Sequence, residues 1–333
     1  MELKERGYDI TVGAGILDEA KNLFNLERRV FILTDTGVPR EYSEKIKKAA
    51  KQAVIYTVPM GESSKSLEVL RLVLTEMMKF GMGRSDALVA VGGGVVGDLG
   101  GFAAATYMRG IDFYGVPTTL LSQVDSSIGG KTAVNLGEVK NIVGAFHQPR
   151  GVLIDTDTLK TLPKRQLSNG LAEAIKMAAT FDAALFERLE REGFSEENAE
   201  DIITAALKIK KAVVEEDERE AGLRKVLNFG HTLGHGIEAE EELRGLFHGE
   251  CVALGMVPMI SAKERARLVE LCRSVGLPME YKYDVERALS YAAHDKKCQS
   301  GYVNVILVEK IGSFKIEKMS LFDFERAVRE GLK

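Results

Sequence analysis

The first half of the chain alternates short runs of aliphatic and β-branched residues with stretches of helical spacing. Residues 29–34 (RVFILT), 54–58 (VIYTV) and 87–91 (ALVAV) are near-continuous apolar runs ending close to Asp, Pro or Gly. Such runs predict strands buried on both faces of a parallel sheet. Amphipathic stretches such as 66–80 lie between them, giving the rhythm of an α/β layer. Beyond about Leu159 the period changes. Residues 165–225 and 250–271 carry helical spacing with few β-branched runs, and only 303–308 reads as a strand. With Pro163 as a breaker in the 155–163 stretch, the pattern predicts an α/β domain over 1–158 and a mostly α-helical domain over 159–333. There is no internal repeat and no low-complexity segment.

Length and composition narrow the function classes. At 333 residues the chain exceeds the usual single-core size, which suits two domains sharing a cleft. A formal net charge of −4, with 45% hydrophobic and 28% charged residues, leaves no electrostatic footprint for nucleic acid. The charged opening MELKER has no apolar signal core, and no apolar run approaches membrane-spanning length, so a cytoplasmic protein is expected. Three scattered cysteines, Cys251, Cys272 and Cys298, argue against a disulfide framework and read as small buried hydrophobes.

Three groups of residues carry candidate chemistry. First, GGGVVGD at 92–98 follows the third apolar run and matches G-x-G-x-x-G at a strand-to-helix junction, where backbone N–H groups and a helix N-terminus can receive a pyrophosphate. A tight turn with close helix–strand packing would use the same glycines. The order departs from the simple Rossmann unit, because the acids come first: Asp35 ends one run, and Glu62 and Lys65 follow the next. A dinucleotide lying across three strand ends accounts for all of them, although Asp and Lys are also common in solvated turns. Second, three of the five histidines cluster in sequence. His231 and His235 are four apart, which puts both rings on one helical face, and His248 lies nearby. Glu173 could complete two imidazoles and a carboxylate around an open catalytic zinc position, although a lone helical Glu is more often an ion-pair partner. Third, PTTLLSQVDSSIGGKT at 117–132 and Lys140-Asn141 are rich in lysine, glycine and hydroxyls, as suits a phosphorylated ligand. His147 and His294 read as structural residues.

Together these segments resemble the 3-dehydroquinate synthases, from about Asp35 to Lys297. The motifs are GGGVVGD (92–98), YMRG (107–110), PTTLLSQVDSSIGGKT (117–132), KNIVGAFHQP (140–149), GLAEAIK (170–176), GLRKVLNFGHTLGH (222–235) and HGECVALGM (248–256). Ser122 and Ala133 are minor departures from the family pattern. The resemblance implies a Rossmann-like NAD-binding domain followed by a helical zinc- and substrate-binding domain, and a homodimer. It implies zinc, or cobalt, on Glu173, His231 and His248, which takes His235 out of the metal set and makes it a substrate-side residue. It implies NAD contacts from Asp35, Glu62, Lys65, Gly94, Val95, Val96, Gly97, Asp98, Thr118, Thr119, Lys131, Lys140, Thr158, Leu159, Lys160 and Thr161. Substrate contacts would come from Asp125, Lys131, Asn141, Lys176, Lys210, Arg224, Asn228, His235 and one of Lys296 or Lys297, with Arg109 reaching across a dimer interface.

The implied reaction converts 3-deoxy-D-arabino-heptulosonate 7-phosphate to 3-dehydroquinate and phosphate, a step of the shikimate route to aromatic amino acids. Oxidation at carbon 5 makes the carbon-6 proton removable, phosphate leaves carbon 7, the ketone is reduced again, and the opened chain closes by aldol addition. The leaving phosphate is itself a candidate acceptor for that proton. Lys131, Asn141 and Arg109 form the expected phosphate clamp; Arg224 and Lys210 form the carboxylate clamp. A zinc-dependent polyol or glycerol-1-phosphate dehydrogenase and a sister sugar-phosphate cyclase are the competing enzymes, with a nucleotide-sensing module behind them. The basic set Lys131, Arg224 and Lys210 separates the first reading, because a neutral polyol would leave those charges uncompensated.

Overall fold

The apolar runs of the first half are strands whose alternate side chains serve two different cores. The computed structural model describes residues 1–5, 7–137, 139–241, 245–294 and 301–332, and it divides into two compact units, Met1–Leu162 and Pro163–Lys333. The division lies a few residues beyond 158/159 because the turn Thr156–Thr161 is tied into the first unit. Asp155 at its head accepts from the N–H groups of Gly15, Leu17 and Asp157, and Thr161 Oγ1 meets the Tyr42 hydroxyl at 2.9 Å.

The first unit contains β1 (Glu2–Glu5), β2 (Tyr8–Gly13), α1 (Ala20–Leu23), β3 (Arg29–Asp35), α2 (Arg40–Ala49), β4 (Gln52–Val58), α3 (Leu67–Lys79), β5 (Ala87–Gly92), α4 (Gly94–Thr106), β6 (Asp112–Pro117), β7 (Lys131–Leu136), β8 (Val139–Phe146) and β9 (Gly151–Asp155). Seven strands form one sheet in the order β1-β2-β9-β6-β5-β3-β4, parallel except for the β1–β2 pair. On β3 and β5, Val30, Ile32, Val89 and Val91 face one core with Tyr42 and Ile46 of α2. Phe31, Leu33, Leu88 and Ala90 face the other core, with Val73 and Met77 of α3 and Val96 and Leu99 of α4. A strand covered on both sides has no polar face to display, which explains the unbroken apolar runs.

β4 corrects the expectation of a third fully buried strand. It pairs with β3 alone, and residues 54–56 are only half-buried. β6 and β9 escape the sequence pattern because Gly115 and Pro117 interrupt one and the other spans five residues. β7 and β8 form a separate antiparallel hairpin against α4. A Cβ at Gly101 of α4 would lie 2.3 Å from Thr132 Cγ2, so the hairpin seats at a position only glycine permits.

The second unit consists of α5 (Lys164–Phe181), α6 (Ala183–Glu192), α7 (Ala199–Glu216), α8 (His231–Glu241), α9 (His248–Met256), α10 (Ala262–Ser274), α11 (Val285–His294), the hairpin β10 (Tyr302–Leu307) and β11 (Lys315–Ser320), and α12 (Leu321–Gly331). Its core gathers Ile175, Phe186, Ile202, Phe229, Val252, Leu268 and Phe324. The helical stretch expected over 250–271 is broken: Pro258, which lacks an N–H, sits in the turn Val257–Met259 between α9 and α10. β11 is the strand the pattern missed, because in KIEKMS only Ile316 and Met319 are apolar. Cys251 and Cys272 are buried free thiols, the latter pushed up to about 12 by burial; Cys298 lies outside the described residues. Among the described residues no helix is long and apolar enough to cross a membrane.

Candidate nucleotide and metal site

Parallel strands bring all their carboxyl ends to one edge of the sheet, where ligands of open α/β sheets collect. Along that edge stand Asp35 at the end of β3, Glu62 and Lys65 after β4, Gly94–Asp98 after β5, Thr118 and Thr119 after β6, and Thr158–Thr161 after β9. Gly93 caps α4, whose first N–H groups have no intrahelical partner. A Cβ at Gly97 would meet nothing within 4 Å, and Gly93, Gly94, Gly97 and Asp98 line a cavity with Ser126 and Lys131. This open cradle fits a nucleotide phosphate.

The acids at this edge are held in place. Burial raises the Asp35 carboxyl although the N–H groups of Gly37 and Val38 oppose it. Lys65, buried, pairs with Asp98 at 2.7 Å and lies 3.5 Å from Glu62. Thr118 N–H donates to Gly92 O, fixing its stretch against the glycine loop, and Thr119 bonds Ser122 at 2.8 Å. Val95 is half-buried and Val96 fully buried in the core below. Thr158 is committed internally, donating to Asp155 O; Leu159 is buried, and Lys160 pairs with Asp157. One buried side chain escaped notice in the sequence: Gln123 Nε2 donates to Pro117 O, Asp155 O and Thr158 Oγ1, tying the ends of β6 and β9 together.

The polar segment after β6 turns through Ser122–Ser126, passes Gly129 and Gly130 at positive φ, and enters β7 at the exposed Lys131. Asp125 is half-buried on that turn. Half-buried Lys140 and exposed Asn141 lie on β8, Asn141 with φ 54°. Arg109 is exposed with φ 69°, just before Gly110. His147 donates from Nε2 to Ile111 O at 3.0 Å.

In the second unit, α5, α8 and α9 bring Glu173, His231 and His248 together. Glu173 is fully buried, and its two oxygens have separate surroundings. Oε2 accepts from buried Lys176 one turn along α5. Oε1 accepts no hydrogen bond and faces His231 Nε2 at 3.7 Å and His248 Nε2 at 3.6 Å. Both rings are anchored from behind: His231 Nδ1 lies 3.2 Å from Phe229 O, and His248 Nδ1 lies 2.9 Å from Glu238 Oε2. Anchored imidazoles presenting Nε2 to a buried carboxylate oxygen are the donor set of a divalent metal, and the residues fit zinc or cobalt. Burial would raise the Glu173 carboxyl, yet Lys176 and His248 hold it below the usual range. Desolvation works against charge on His248, but Glu173 and Glu238 push it up to about 10, so a cation at this point would take the place of a proton.

His235 stands beside this group, its ring 5.4 Å from that of His231 and 5.9 Å from that of His248. With Glu238 and His248 it forms a second possible donor set, so the four-residue spacing brought it near the metal group without deciding its role. Glu238 had a readable signal, since 231, 235 and 238 follow one helical face. Arg224 and Lys210 are buried, not surface residues; Arg224 Nη1 donates to Glu218 O and its N–H to Asp217. Asn228 donates to Glu220 Oε1 at 2.6 Å. Lys296 and Lys297 lie outside the described residues.

The sequence models of the 3-dehydroquinate synthase N-terminal and C-terminal regions match residues 55–169 and 170–298. The chain belongs to the 3-dehydroquinate synthase family. A 3-dehydroquinate synthase of Enterococcus faecalis (strain ATCC 700802 / V583) is 45% identical over 94% of this chain and 93% of its own length. Among solved structures, a 2-epi-5-epi-valiolone synthase from Streptomyces hygroscopicus subsp. jinggangensis 5008 with NAD+ and Zn2+ bound superposes with a TM-score of 0.89 at 29% identity, covering 99% of this chain and 97% of that one. A 2-deoxy-scyllo-inosose synthase complexed with carbaglucose-6-phosphate, NAD+ and Co2+ gives 0.88 at 27% identity, covering 97% of each chain. The fold is thus shared with other cyclases, and in sequence this chain is more similar to the synthase from Enterococcus than to these two.

Proposed function

We propose that this protein is a 3-dehydroquinate synthase that uses NAD and zinc, converting 3-deoxy-D-arabino-heptulosonate 7-phosphate to 3-dehydroquinate and inorganic phosphate as a carbon–oxygen lyase. The observation that carries the reading is the Glu173–His231–His248 group beside buried Lys176, in a chain 45% identical to a named synthase. When bound, NAD+ supplies a reversible hydride acceptor, and the metal supplies a Lewis acid for the substrate's hydroxyl oxygens. Asp35, Glu62, Lys65, Gly94–Asp98, Thr118, Thr119, Lys131 and Lys140, with the backbone of the Thr158–Thr161 turn, are assigned to the nucleotide.

Lys131 and Asn141, with Arg109 from a second copy, are assigned to the substrate phosphate, which they orient and stabilise as its charge grows on leaving. Arg224 offers a planar fork for the carboxylate and Lys210 adds a point charge. Lys176 donates a hydrogen bond to Glu173 Oε2, which leaves Oε1 toward the histidines; it and His235, with Asp125 and Asn228, are assigned to orienting the sugar hydroxyls and moving their protons. The reading extends to a cytoplasmic homodimer.

The test is turnover with NAD+ and zinc while phosphate and NADH are followed together. Phosphate should appear stoichiometrically with carbocyclic product while NADH absorbance stays flat, because each hydride returns to the molecule that gave it. Steady NADH accumulation would overturn the lyase reading in favour of a dehydrogenase.

A further inference from the structure

Asn135 occupies the point where the β7–β8 ladder loses register, between the pairs Val134↔Val143 and Leu136↔Val139. An irregularity of this kind re-aims one residue out of its own ladder. Asn135 bonds elsewhere: its N–H donates to Lys65 O at 2.8 Å, and it bridges in parallel to Ser66 at the head of α3. Its side chain then uses both ends. Nδ2 donates to Glu62 Oε1 at 2.8 Å, and Oδ1 accepts from the backbone N–H of Asn141 at 2.9 Å. This orientation of the amide is dictated by its partners, since an ionised carboxylate only accepts and a backbone N–H only donates.

Asn141 is fixed by this bond. Its φ of 54° lies in the left-handed region, which Asn tolerates better than other residues with a Cβ, and the bond to Asn135 helps hold the backbone there. Glu62 in turn lies beside the Lys65–Asp98 pair. One amide therefore spans from the acid that follows β4 to the left-handed residue on β8.

We propose that Asn135 is a positioning residue that holds Glu62 for the nucleotide and Asn141 for the substrate phosphate in a single register, so that loss of one amide weakens both recognitions. The roles of Glu62 and Asn141 rest on the function proposed above. Asn135 itself acts through these two residues and is assigned no contact with either ligand.

The two ends of the side chain can be separated by substitution. Asn135→Asp keeps an acceptor for the Asn141 N–H but sets a second carboxylate against Glu62. Asn135→Ala removes both bonds. NAD+ affinity is measured by titration calorimetry on the full-length protein, and substrate KM at saturating NAD+. Asn135→Asp should weaken NAD+ by about tenfold or more and leave substrate KM within about twofold of wild type, and Asn135→Ala should raise both constants by about tenfold. A merely structural role would lower thermal stability with both constants unchanged, or move them by the same factor in both variants; either result overturns the proposal. Should one variant fail to fold, unchanged constants in the other overturn it equally. Wild type that binds NAD+ without turning over the heptulosonate phosphate defeats the proposed function while leaving the nucleotide arm readable.

Discussion

The Glu173 carboxylate shows how single atoms can separate roles that residue types leave merged. Oε1, buried and accepting no hydrogen bond, faces two anchored imidazoles, whereas Oε2 is taken by Lys176. Replacing Glu173, His231 or His248 by Ala should abolish bound metal, measured by atomic emission on dialysed protein, and activity with it. Replacing His235 by Ala should leave metal content near wild type and slow turnover. Metal loss in the His235 variant would move that residue into the ligand set with Glu238 and His248. Arg224 is the other residue on which the proposed substrate assignment turns. A surface ion pair would cost only about 0–1 kcal/mol to truncate. A buried guanidinium that clamps a carboxylate is different, and Arg224 is 3% exposed. Arg224→Ala should therefore cost about 2–5 kcal/mol in kcat/KM, with metal and NAD binding preserved. An analogue with a neutral group in place of the carboxylate checks the assignment. Wild type should discriminate strongly against it and the variant much less; equal preference in both would point to a sister cyclase substrate.

At the scale of elements, two glycines predict opposite outcomes for the same substitution. Gly255 on α9 lies against α8, where an added Cβ would come 2.1 Å from Gly230 O and 2.8 Å from Gly234 N. Alanine gains about 1 kcal/mol of helix propensity over glycine, but a clash with backbone atoms cannot be relieved by a rotamer change and costs about 1–3 kcal/mol or more. Gly255→Ala should lower the denaturation midpoint and reduce metal content together, because α8 and α9 carry His231 and His248. Gly97 on α4 has open space where its Cβ would stand. Gly97→Ala should leave folding stability unchanged or raise it by up to about 1 kcal/mol while weakening NAD+, since the methyl group enters the proposed phosphate cradle. Unaltered NAD+ affinity in that variant would remove Gly97 from the nucleotide site.

At the scale of the whole molecule, among the described residues each unit has buried clusters of its own, on both faces of the sheet in the first and among the helices in the second. The proposed homodimer gives Arg109 a place. It is exposed in the single chain and stands on a turn held at positive φ by Met108, Arg109 and Gly110. If its guanidinium completes the phosphate site of a second copy, Arg109→Ala and Lys176→Ala proteins, each inactive alone, should regain part of their activity when subunits exchange in a mixture. Absence of recovery after exchange has been demonstrated by differently tagged chains would assign Arg109 to its own subunit.

The sequence by itself determined the pattern of layers and the identity of the chemical groups. The short, near-continuous and β-branched-rich apolar runs at 29–34 and 87–91 read as strands covered on both faces, and the spacing of glycines at 92–97 marks a tight strand-to-helix junction without tertiary knowledge. The family motifs singled out Glu173, His231 and His248, the residues that the fold then brings together. Tertiary structure decided what depends on neighbours distant in the chain. β4 is half-buried because nothing lies beyond it in the sheet, a fact about strand order that its own five apolar residues do not encode. Helical periodicity paired His231 with His235, since it records positions on one helix; Glu173 reaches the group from α5 and His248 from α9, and only packing brings those helices together. Nothing in the sequence singles out Asn135. Its two partners lie 73 residues before it and six after it, and only the bulge that turns its amide toward both makes it a link.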